Sequence, residues 1–234
     1  MSGLLSMSLS KYFSSTVARK FVAGLTGVLL ILYLVAHLAG NLTLFAGPGL
    51  FNRYASRLES FGFLLYAIEI VLALIFVVHA VVGIQVFLGK RRARPNGYAK
   101  TASRGEPSRQ TLASRSMIVT GIVLLVFIPV HVWMFKFRPT PSVTLGNHEA
   151  RDLYALVLTA FKQPLIAWAY VLVMGFLGFH LRHGFWSAFQ SLGALNPRLL
   201  PLFYGLGLVV ALLLAGGFVV LPLWMLYAVP APGM

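Results

Sequence analysis

Five long apolar stretches, separated by shorter polar or basic segments, run along this chain at about 21–45, 62–89, 116–137, 164–190 and 200–228. Each reaches the roughly 20 residues that a helix needs to cross a bilayer. Helices are expected because every backbone polar group must be satisfied without water. Two shorter pieces carry apolar residues at helical spacing: Leu50, Phe51, Tyr54, Leu58 and Phe61, then Leu153, Leu156, Val157 and Phe161. That spacing predicts two amphipathic helices lying flat at the outer interface. The expected fold is an all-α integral membrane bundle of five transmembrane helices, a single domain over residues 1–234. No internal repeat stands out.

Composition agrees. Of the 234 residues, 59% are hydrophobic and 10% charged, where a soluble domain carries about a quarter charged residues. The net charge of +14 resembles that of a nucleic-acid binder, but its placement says otherwise. Lys90, Arg91, Arg92, Arg94, Lys100, Arg104, Arg109 and Arg115 crowd between the second and third runs, with Glu106 as the sole acid. Such a loop is cytoplasmic by the positive-inside rule. Lys11, Arg19, Lys20 and Arg198 agree, and Glu59, Glu149 and Asp152 fall in the opposite loops. The N-terminus is therefore expected inside, the C-terminus outside, and the basic loop 90–115 as an extended cytoplasmic segment open to partners. No nucleic-acid partner is expected. Cysteine is absent, which excludes disulfides, thiolate zinc and iron–sulfur ligation by this chain. No cleavable signal peptide is expected, because the first apolar run exceeds the length of a signal-peptide core.

Candidate chemistry lies in the histidines. His37, His79, His131 and His180 each sit in a different apolar run. An ionisable or metal-ligating side chain inside a membrane is costly and points to function. With the direction of each run fixed, depth follows from a rise of about 1.5 Å per residue. His37 and His131 both lie 16 residues beyond the inner ends at Phe21 and Arg115, about 24 Å up. His79 and His180 both lie 10 residues from the inner ends at Gly89 and Gln190, about 15 Å up. Two levels result, each offering two imidazoles from different helices. That is what two stacked bis-histidine haems require. Gly40, Gly83, Gly178 and Gly184 would supply room for a broad macrocycle, though glycine is also common at ordinary membrane-helix contacts. Pro129 is expected to kink the third span.

The remaining polar residues are secondary. His148 lies in a polar outer loop and is expected to be solvated. His183 competes with His180 as a ligand, or else neighbours that site near an anionic group. Arg19, Lys20, Arg115 and Arg182 ring the inner face, as propionate partners or as ordinary interfacial anchors. Glu69 is the acid within a span. It is read either as a proton-handling group near the outer end of its span or as an interfacial carboxylate paired with Arg53 or Arg57. Asn41 is read as a helix bridge or a contact to a bound molecule.

The strings AHLAGNL at His37, VVHAVVGIQVFLGKRRARP at His79, SRSMIVTGIVLLVFIPVHVW from Arg115 and FHLRHGFWSAFQSLG at His180 resemble the cytochrome b subunit (b558 type) of dihaem succinate dehydrogenases and fumarate reductases. The resemblance runs from about Lys11 to the fifth span. It implies two haems b, the inner on His79 and His180, the outer on His37 and His131. It implies a non-catalytic electron-transfer subunit that anchors a flavoprotein subunit and an iron–sulfur subunit on the cytoplasmic face of a prokaryotic plasma (inner) membrane. Electrons would pass between the iron–sulfur subunit and a quinone, usually menaquinone, with Glu69 as the proton-handling group of an outer quinone site and Asn41 as a candidate quinone contact. Assembly as a homotrimer of such heterotrimers stays open. Some family members carry a glutamate two residues before the fourth-span ligand for proton movement; Gly178 stands there in this chain, so that path is not expected. Competing readings are a cytochrome b anchoring a hydrogenase or formate dehydrogenase, a proton-coupled transporter with a histidine relay, and an anchor without haem.

Overall fold

The computed structural model describes residues 15–93 and 111–230. Helix α1 spans Thr16–Asn41 and continues through a 3₁₀ turn, Leu42–Ala46. It is followed by α2 (Pro48–Glu59), α3 (Phe63–Ala93), a short α4 (Leu112–Arg115) and α5 (Met117–Val132), which runs on as a π-helical turn, Trp133–Phe137. A hairpin follows, β1 (Ser142–Leu145) antiparallel to β2 (His148–Arg151), then α6 (Leu153–Phe161), α7 (Pro164–Ser191) and α8 (Leu200–Tyr227). Five helical stretches are long and apolar enough to cross a membrane: Thr16–Ala46, Phe63–Ala93, Met117–Phe137, Pro164–Ser191 and Leu200–Tyr227. They match the five expected runs.

Local chemistry sets the helix ends. The Ser15 hydroxyl accepts from the Ala18 N–H at 3.1 Å, meeting one of the donors that a helix start leaves unpaired. Gly47, at φ +86°, turns the chain from the first span into α2, with Pro48 in its first turn, where its fixed φ suits a helix and its missing N–H costs nothing. Asp152 caps α6 by accepting from the Ala155 N–H at 3.0 Å. Lys90, Arg91 and Arg92 fill the last turn of α3, where cations favour the negative end of the helix dipole. The helix continues through Pro129, and the irregularity appears beyond it as the π turn at Trp133–Phe137.

The bundle has two centres of packing. One, with Leu124, Met174, Leu177, Leu181, Ala211 and Leu214, joins α5, α7 and α8. The other lies at the end of the bundle capped by α2 and α6, where Leu44, Phe51, Tyr154, Val157, Leu158, Phe161, Leu221 and Met225 meet. Helix α6 is therefore more deeply set than a helix lying flat: Tyr154, Leu156, Val157, Leu158, Ala160 and Phe161 are all buried. Its apolar residues occupy both faces, so α2, α7 and α8 enclose it. The hairpin is the one departure from an all-α reading among the described residues. Gly146, at φ +65°, supplies its turn with a conformation that glycine adopts at no steric cost.

Neighbour relations among the spans place the site. Helix α1 packs on α3 and α7, α5 packs on α7, and α3 and α5 touch sparingly. These four helices form a ring, and α8 packs against α7 and, less extensively, against α1. Helix α3 has no buried residue, as befits a span with one face to lipid and one to the ring interior. The basic loop expected as a cytoplasmic segment lies largely outside the described residues, as do Lys11 and the end of the AVPAPGM tail.

Candidate functional site

The ring brings the four histidines together in the two pairs expected from depth. His37 of α1 and His131 of α5 have ring centroids 5.8 Å apart with planes at 88°. His79 of α3 and His180 of α7 are 6.4 Å apart at 71°. His183 does not share this pairing; its ring meets Trp186 edge-on at 5.0 Å.

The two pairs sit in different surroundings. The His37–His131 pair is walled by rings: Tyr33 stacks on His37 at 5.4 Å, Phe218 lies 5.7 Å from it, and Phe127, Phe135 and Tyr170 surround His131 at 5.5, 5.3 and 5.9 Å. The Tyr170 hydroxyl is 3.2 Å from His131 Nδ1. The His79–His180 pair is held by hydroxyls: Thr26 Oγ1 is 3.1 Å from His79 Nδ1 and Thr120 Oγ1 is 3.1 Å from His180 Nδ1. These contacts were missed from sequence. One signal was available, an aromatic residue four before each histidine of the first pair, Tyr33 and Phe127, which places both rings on one helix face.

The residues can be tested against the group that the resemblance implies. A histidine nitrogen sits about 2.0–2.1 Å from a transition metal such as zinc, and with roughly 1.1 Å from nitrogen to ring centre, two imidazoles across one metal have centroids about 6.3 Å apart. Separations of 5.8 and 6.4 Å fit. Among the described residues no three His, Cys, Asp or Glu side chains gather as a metal-binding set. Two imidazoles from separate helices are a donor set that suits a metal whose other positions come from a macrocycle. Buried side-chain nitrogens without a hydrogen-bond partner among the described residues are Arg19 Nε, Arg182 Nε and His183 Nδ1. An unmet buried polar atom is costly, and an anionic partner was one of the readings for each of these three residues. Lys20 and Arg115 are exposed. The donor set fits a dianionic macrocycle at the basic end of the bundle.

The glycines divide. Gly83 and Gly184 have nothing within 4 Å of a built Cβ, consistent with room. Gly40 is a contact glycine against the Tyr54 ring, and Gly178 sets α7 on α8, its Cβ position 3.2 Å from Ala215 Cβ. The glycines that face the imidazoles are instead Gly27, where a Cβ would lie 3.3 Å from His79 Cε1, and Gly121, where it would lie 3.6 Å from His180 Cε1.

Other expectations change. Glu69 is ion-paired, but with Lys136 at 2.6 Å rather than Arg53 or Arg57; α3 and the π turn after α5 bring these two side by side, and the Lys136 ammonium also lies 5.1 Å from the Tyr66 ring centre. Among the described residues Asn41 bonds within its own helix: its amide donates to the His37 carbonyl at 2.8 Å and lies 3.5 Å from His37 Nε2. His148 is exposed as expected, yet its Nε2 is 3.1 Å from the Ser56 hydroxyl.

The fold and site thus define a multi-pass helical membrane bundle with two stacked imidazole pairs, one histidine from each of four spans. The chain is 28% identical over 170 residues to the succinate dehydrogenase cytochrome b558 subunit of Bacillus subtilis (strain 168), a match covering 71% of this chain and 75% of that protein. No protein-family model matches, and no solved structure matches. The likeness supports the family resemblance read from the histidine motifs.

Proposed function

We propose that the chain is the membrane-anchoring dihaem cytochrome b subunit of a succinate:quinone oxidoreductase. The observation that carries this reading is the meeting of His37 with His131 and of His79 with His180 from four separate spans. The likeness to a succinate dehydrogenase cytochrome b558 subunit supports a place in such an assembly; in this reading a flavoprotein and an iron–sulfur subunit sit on the cytoplasmic face and menaquinone is the quinone. The membrane is a prokaryotic plasma membrane, with the N-terminus inside by the placement of basic residues.

When bound, haem b supplies one-electron redox chemistry. The chain's own residues do the rest. His37, His131, His79 and His180 would hold the two haems through their ring nitrogens. Arg19, Arg182 and His183 offer donors to propionates at the basic end. The aromatic wall around His37 and His131 excludes water from that pair. Glu69 and Lys136, toward the capped end, are placed to hand protons to a quinone.

A reduced-minus-oxidised spectrum with haem quantified per polypeptide tests the reading. Two low-spin haems b per chain are expected. His37→Ala or His131→Ala should each remove the outer haem first, and His79→Ala or His180→Ala the inner. A chain purified with its partner subunits but lacking a Soret band would overturn the proposal and favour a transporter or bare anchor.

A further inference from the structure

Helices α1 and α5 carry the same device. Each has a Thr-Gly dipeptide, Thr26-Gly27 and Thr120-Gly121, with its threonine eleven residues before its own histidine, His37 or His131. Eleven residues is about three turns, so threonine and histidine share one helix face. The histidine of that face enters one imidazole pair, and the threonine reaches the other. Each of the two helices therefore serves both levels.

Hydrogen-bond direction gives the threonines a specific task. Thr26 Oγ1 donates its single proton to its own helix, to the Val22 carbonyl at 2.7 Å, with the Ala23 carbonyl at 3.2 Å. Thr120 Oγ1 lies 3.1 Å from both the Ser116 and the Met117 carbonyls. With that proton on a backbone carbonyl, the oxygen accepts from the ring beside it, the direction that a metal-ligating Nε2 requires. Nδ1 of His79 and of His180 must then carry the hydrogen, which leaves the lone pair on Nε2. Thr26 and Thr120 are buried, and Asn52 is the only other buried polar residue among those described. Gly27 and Gly121 let the helix backbone lie against Cε1 of each ring. At the other pair the arrangement differs: Tyr170 faces His131 Nδ1, and His37 is flanked by the Asn41 amide.

We propose that Thr26 and Thr120 are positioning residues that lock His79 and His180 as Nδ1–H tautomers, aim both Nε2 atoms at one shared iron, and set its reduction potential. An acceptor on the distal N–H makes an imidazole ligand more basic, which favours oxidised iron. This inference rests on the haem reading above.

The test uses Thr26→Val and Thr120→Val, which keep shape and remove the acceptor, beside Thr26→Ser and Thr120→Ser, which restore it. Haem per polypeptide and a redox titration resolving the two haems are read on the whole complex. The valine variants should raise the potential of the His79–His180 haem by up to about tenfold in its oxidation equilibrium, 59 mV for one electron, or lose that haem alone. The other haem should not move, and the serine variants should match wild type. Two haems at unchanged potentials in both valine variants would overturn the proposal, as would equal shifts at both haems. If a valine variant fails to assemble, Thr→Ala at the same position removes the same acceptor and takes the same readouts. A wild-type complex without haem would sink the parent reading, a failure seen before any variant is made.

Discussion

Close approach decides the fate of several residues here. Gly24 sets α1 against α7, its Cβ position 2.9 Å from the Ala188 carbonyl, and Gly217 sets α8 against Leu38 with a Cδ2 at 2.7 Å. Overpacking of this kind costs typically 1–3 kcal/mol. Gly24→Ala is expected to lower the thermal midpoint of the detergent-solubilised chain by an amount of that order, since a backbone carbonyl cannot rotate away. Gly89→Ala, which meets open space, should leave it unchanged. Gly27→Ala sits between these: its Cβ would press on a ring edge of His79 at 3.3 Å, so its expected signature is loss of the His79–His180 haem ahead of any loss of stability. Glu69→Gln addresses a different matter. It removes the charge opposite Lys136; if Glu69 moves protons for a quinone, quinone turnover should fall at least tenfold with both haem spectra intact. If turnover is unchanged, the pair is an anchor only.

At the scale of elements, the cap over one end of the bundle depends on a short polar hinge. Asn52 of α2 donates to Asp152 at 2.8 Å and accepts from the Tyr154 N–H at 2.9 Å, tying α2 to the start of α6. It is 2% exposed, so no water replaces these bonds. Asn52→Ala strands a buried backbone N–H and should cost about 1–3 kcal/mol, read as a lower thermal midpoint and faster proteolysis at the hairpin. The hairpin edge is tied down more weakly: Arg151 reaches Glu59 at 3.5 Å on the exposed rim, and exposed ion pairs are worth little. Arg151→Ala should therefore change stability far less than Asn52→Ala. The amphipathic periods of α2 and α6 were readable in the chain. The depth of α6 was not, because burial on all sides comes from neighbours that periodicity cannot name.

For the whole molecule, orientation is the property still to be measured, and the absence of cysteine makes it accessible. Thr144→Cys in the hairpin should react with a membrane-impermeant maleimide from outside intact cells, and Lys90→Cys only after permeabilisation. The reverse labelling would invert the charge argument. Sequence alone determined the five spans, since about 20 apolar residues can satisfy their backbone in lipid only as a helix. It also determined the pairing of the histidines, because a constant rise per residue converts position into depth. What it could not supply was azimuth and partner. Which glycine meets a ring, that Glu69 finds Lys136 rather than Arg53 or Arg57, and that Thr26 and Thr120 stand behind His79 and His180 all depend on how four helices rotate and close into a ring. The hydrogen bonds and the ion pair among these contacts join residues 53 to 67 positions apart, and only the packed structure brings such distant side chains within hydrogen-bond reach.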